Sequence, residues 1–72
     1  MKLYDVPDRT WVKVVGNAKV PPDAPAIEDG DRIFLMKIDG MYSYCKDDSG
    51  QICHLVAWQE VEIDDERETN EV

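Results

Sequence analysis

Histidine occurs once in this chain, phenylalanine once and cysteine twice, and no apolar run is longer than a few residues. A helix needs roughly 20 apolar residues to cross a bilayer, so no membrane segment is expected. The N-terminal Met1-Lys2-Leu3-Tyr4-Asp5 is followed by Pro7 where the apolar stretch of a secretory signal would begin, so a cytoplasmic protein is expected. In that reducing compartment Cys45 and Cys53 are expected to be free thiols. Basic residues are scarce as well: eight Lys and Arg oppose sixteen acids, a net charge of −8. Binding to a phosphate backbone works by replacing condensed counterions with basic side chains, so direct nucleic-acid binding is not expected. Helix-period segments of useful length are absent too, which removes every helical fold class.

Length sets the next limit, because 72 residues make one small core and leave little room for a deep catalytic pocket. Structural zinc takes four ligands, commonly in paired Cys-x-x-Cys-like knuckles, and neither knuckle is here. No metal or cofactor is expected. Cys53 and His54 are neighbours on one strand and point to opposite faces, so they do not form a nucleophile and base pair. Asp29, Asp31, Asp47 and Asp48 sit among turn residues, where carboxylates cap and solvate rather than pair for acid-base work. An enzyme is not expected.

What the chain does contain is a succession of short strand patterns with a turn signal at each junction. Residues 10–15 (TWVKVV) are β-branched and aromatic and end at Gly16-Asn17. A loop over 18–30 follows, in which Pro21, Pro22 and Pro25 fix φ and remove backbone donors. Loops of this length in small domains tend to bind or to move. Residues 31–39 (DRIFLMKID) form the second strand, with Phe34, Met36 and Ile38 expected on one face and Ile33 and Leu35 on the other. Asp39-Gly40 is a favoured hairpin turn into 41–46 (MYSYCK), and Asp47 to Gly50 turns the chain into 51–56 (QICHLV), bringing Cys45 opposite or diagonal to Cys53. Residues 57–59 are long enough only for a single 3₁₀ turn before a last strand at 60–63. Residues 4–8, with Pro7 and two acids, are expected to be an extended lead-in.

That order, over residues 4–63, resembles the SH3-like barrel. Its local echoes are Leu3-Tyr4-Asp5 ahead of the first strand, Gly30-Asp31 leading into the second, Ser49-Gly50 at the distal hairpin and Ala57-Trp58-Gln59 before the last strand. The resemblance implies an all-β, five-stranded SH3-like barrel over 1–63, followed by a disordered acidic tail over 64–72 that holds five of the acids. Peptide-binding members carry a Trp at the start of the third strand and a Pro and a Tyr near the 3₁₀ turn. Met41 and Tyr42 stand in place of that Trp, and Ala57 and Glu60 fall near the other two, so recognition of proline-rich peptides is not implied. The Asp-Gly-Met-Tyr-Ser-Tyr-Cys segment and the small size also resemble early or accessory proteins of tailed bacteriophages.

Trp11, Phe34 and one of the tyrosines are expected in the core, because so small a barrel depends on a few large side chains. Tyr42 and Tyr44 share one face of their strand, and both parities stay open. Facing inward they are core, and Met41, Ser43 and Cys45 look outward. Facing outward they form, with Trp58 and the loop prolines Pro21, Pro22 and Pro25, the candidate anchor cluster of a protein interface, where Tyr and Trp are enriched. The function expected is a non-enzymatic protein-binding or accessory module with a protein partner. The alternative is an acidic inhibitor that presents its carboxylates, in the manner of a nucleic acid, to a basic protein. The strand at 60–63 is a candidate exposed edge, and the oligomeric state is open.

Overall fold

A computed structural model describes residues 1–64. Alternating β-branched side chains make Thr10–Val14 a strand, β1, which buries Val12 and Val14 and turns Trp11 and Lys13 the other way. It pairs antiparallel on one side with β2, Arg32–Asp39, and on the other with β5, Val61–Ile63. β2 turns at Gly40 into β3, Tyr42–Asp47, and β3 turns again into β4, Ile52–Cys53. The protein is therefore all-β, five antiparallel strands in one sheet of order β4-β3-β2-β1-β5. The sheet is open: β4 and β5 are its edges and do not pair with each other. No helix among the described residues is long and apolar enough to cross a membrane.

Several expectations are corrected. The lead-in is not wholly extended, because Leu3–Asp5 closes a 3₁₀ turn in which the Val6 N–H donates to Leu3 O at 3.0 Å. That turn drives Leu3 fully into the core, a burial worth about 1.5–3 kcal/mol. The expected six-residue strand at 51–56 contracts to Ile52–Cys53, although its register persists, since Tyr42 still meets Val56 in an isolated bridge. Between these points the side chains of Ser43 and His54 take the backbone groups that a ladder would use.

Ile38 does not share a face with Phe34. A β-bulge between Leu35 and Lys37 leaves Met36 outside the ladder, so inward parity passes from Ile33 and Leu35 to Ile38, which packs against the core. The core itself contains no aromatic ring: Leu3, Val12, Ile33, Leu35, Leu55 and Val61 are its largest fully buried side chains apart from Val14. Trp11 and Phe34, expected inside, are half-buried partners on the outer face, with ring centroids 5.3 Å apart. Aliphatic side chains and two thiols fill so thin a core without a ring, and the aromatics cover it from outside. The tail expected over 64–72 lies outside the described residues except for Asp64, whose N–H donates to Trp11 O at 2.9 Å and whose carboxylate holds Arg32 Nε at 2.7 Å.

Candidate protein-binding surface

The parity of β3 is decided by its small residues. Ser43 is fully buried, and its hydroxyl donates to Leu55 O at 3.0 Å and accepts the Leu55 N–H at 3.2 Å. Cys45, also buried, faces Cys53 directly across the β3–β4 pair. Tyr42 and Tyr44 are thereby turned outward, Tyr44 remaining 41% exposed. The inward alternative for the tyrosines is excluded.

The proline loop reaches this face because it is pinned at three places. Buried Gln59 accepts the Lys19 N–H through Oε1 at 3.1 Å and donates from Nε2 to Val15 O at 3.3 Å. Val56 N–H donates to Lys19 O at 3.0 Å, and Ile27 sinks into the core at the far end of the loop. Between the pins a turn forms in which Ala24 N–H donates to Pro21 O at 3.0 Å. The result is a cleft of about 420 Å³ between Pro21, Asp23 and Ala24 on the loop, Asp39, Tyr42 and Tyr44 on the sheet, and His54 just past β4. Pro21, Tyr42 and Tyr44 of the expected cluster are brought together. Pro25 instead lines a separate hollow of about 300 Å³ with Ile27, Asp31 and Asp48. Pro22 is exposed and lines neither. Trp58, 44% exposed, sits on the turn after Val56 and is not part of the cleft. Its neighbour Ala57 donates its N–H to Met41 O and accepts from Tyr4 N–H, so three large exposed residues, Tyr4, Met41 and Trp58, surround one backbone junction.

His54 was not among the expected site residues. Its Nδ1 lies 2.8 Å from Ser43 O, and its ring meets Tyr44 edge to face at 5.3 Å, which fixes the Tyr44 ring as one wall of the cleft. The signal was in the hairpin: the register that pairs Cys45 with Cys53 also sets Tyr44 beside His54.

Electrostatically, three of the acids are tied to backbone N–H groups. Asp29 accepts the Gly16 N–H at 2.8 Å and Asp31 the Glu28 N–H at 3.0 Å. Asp47 accepts from the Ser49 hydroxyl at 2.7 Å and from the Ser49 and Gln51 amides, and the Ser49 hydroxyl above all holds its carboxyl below the usual range. Burial pushes the Cys45 thiol up, partly offset by Ser43, and pushes Cys53 up to about 12, with Cys45 and nearby Asp47 adding to the rise. These are thiols that stay protonated. Among the described residues no three His, Cys, Asp or Glu side chains gather in a way that could hold a metal ion. No family model, curated protein or solved structure matches the chain.

Proposed function

We propose that the chain is a non-enzymatic protein-binding module, in finer terms an SH3-like barrel, that holds a partner segment in the cleft between the proline loop and the tyrosine face of β3. The observation that carries this reading is the convergence of Pro21, Tyr42 and Tyr44 on one cleft, with Tyr44 steadied by His54. Tyrosines held in place lose little freedom on binding and present both a ring and a hydroxyl, which is why they anchor interfaces. The barrel reading draws support from the strand order, in which β1 lies between β5 and β2.

Presentation of acids to a basic protein has less support, because Asp29, Asp31 and Asp47 each commit one oxygen to a backbone N–H group of this chain, Asp31 and Asp47 within their own turns and Asp29 across to Gly16. Capture from a bacterial lysate at rising salt tests the choice. A partner held by the cleft survives moderate salt, is weakened at least about tenfold by Tyr42→Ala or Tyr44→Ala, and is indifferent to Trp58→Ala. A partner that survives both tyrosine changes in a variant that melts like the parent overturns the proposal.

A further inference from the structure

On the far side of Tyr44 from the cleft, the outer sheet face carries a second, open groove of about 600 Å³, lined by Arg9, Phe34, Met36, Lys37 and Tyr44. Its composition runs against the chain as a whole: two cations and three apolar or aromatic side chains, with no acid, in a protein of net charge −8. Lys37 Nζ stands 5.5 Å from the centre of the Tyr44 ring, a cation–π arrangement that holds the ammonium over the groove. Neither Arg9 nor Lys37 makes an ion pair among the described residues, whereas Arg32 on the same face is neutralised by Asp64.

Two backbone features build the groove. Arg9 is the one non-glycine residue among those described with a positive φ, 63°, a conformation that glycine alone adopts without cost. Its N–H donates to Leu35 O at 2.7 Å, which fixes the residue against β2. Met36 is the bulge residue of β2, set out of the ladder and turned onto the outer face. An arginine kept at a glycine position and a bulge that re-aims a methionine converge on the same surface.

We propose that this groove docks a short acidic segment of a partner protein that carries one apolar or aromatic side chain, with its carboxylates on Arg9 and Lys37 and its apolar group on Phe34 and Met36. Charge complementarity selects an acidic occupant. Its extent selects a short one. Lys46 stands across from Phe34 on the same face and adds a third cation. But Arg32 is held by Asp64, Lys13 faces Glu62 and Asp39 lies across from Tyr42 at the turn end, so no extended basic track leads out of the groove. A nucleic-acid strand, whose affinity grows with the number of phosphates neutralised, lacks that track. The inference does not depend on what the cleft beyond Tyr44 binds.

The test uses the full chain, isotope-labelled for amide chemical-shift mapping, and a short peptide with one tryptophan between two pairs of glutamates. The expected result is shifts centred on Arg9, Phe34 and Lys37, an affinity that falls with added salt, and a loss of about tenfold when the glutamates become glutamines. Arg9→Gly, which suits the local backbone and keeps the thermal midpoint within about 3 °C, and Lys37→Gln each weaken the peptide by a similar factor. Absence of shifts at millimolar peptide, equal affinity for the glutamine peptide, or unchanged binding by Arg9→Gly overturns the proposal. Tighter binding of an oligo-deoxythymidine overturns it in favour of single-stranded nucleic acid. Shifts confined to Asp23 and Tyr42 overturn it while leaving the cleft as the binding site.

Discussion

The hydroxyl of Ser43 does the work of a strand that is not there. Beyond Cys53 the β3–β4 ladder lapses, and Ser43 Oγ serves both backbone groups of Leu55 inside a core that water does not reach. A buried amide left without a partner costs about 1–3 kcal/mol, so Ser43→Ala lowers unfolding stability by that amount in urea titrations. The thiols nearby call for a different measurement. With Cys53 pushed up to about 12 by burial and by Cys45, its thiolate amounts to about one part in ten thousand at pH 8. Labelling of the native protein by an aromatic disulfide is therefore slow and speeds up sharply in urea. Rapid labelling of folded protein would contradict the buried position of the pair.

Turns and strands hold the parts of the structure that composition alone could reveal. Asp39-Gly40 and Ser49-Gly50 were readable because left-handed backbone asks for glycine, and Gly40 and Gly50 adopt φ of 68° and 93°. Asp47 closes the second of these turns, and its depressed carboxyl makes a signed prediction. The charged form is favoured in the fold, so its contribution is present above the ordinary value of 3.8 and is lost as pH falls through the lower folded value. The stability gap between the parent and Asp47→Ala, measured by urea titration, accordingly narrows below about pH 4. What composition hid was the bulge: RIFLMKID is apolar on both faces in its first half, so nothing in the pattern marks where the count slips. The aromatic positions misled for a related reason. Ring size argues for burial, but Trp11 and Phe34 find it by covering the outer face of the sheet. The contraction of β4 was hidden because it depends on Ser43 and His54, which meet it only across the hairpin.

At the scale of the whole molecule, the site was legible in halves. Pro21, Tyr42 and Tyr44 could be picked out as residue types, but their convergence depends on Gln59, a residue that gave no signal of its own in the turn at 57–59. Gln59 joins the start of the loop to the last strand through Val15, Lys19 and Glu60, at 3.1 to 3.3 Å. Gln59→Ala is expected to cost about 1–3 kcal/mol and, more tellingly, to speed hydrogen exchange at Lys19 while β2 and β3 keep their protection. Exchange that rises uniformly would mean the loop is held by something other than that amide. Arg9 and Lys37 were beyond reach of the chain order, because only the pairing of β1 with β2 sets them on one surface.

The bulge at Met36 belongs to the groove it helps to form. One uncounted residue separates Leu35, which faces in, from Ile38, which also faces in, so β2 carries Met36 as an addition that its alternation does not need. Exchange of Met36 for another side chain preserves the frame, and loss of that single codon restores strict alternation with Leu35 and Ile38 still facing in and Lys37 still facing out. The residue at 36 therefore serves the outer face alone: without it the core keeps its frame, while the groove loses the one side chain that the bulge re-aims.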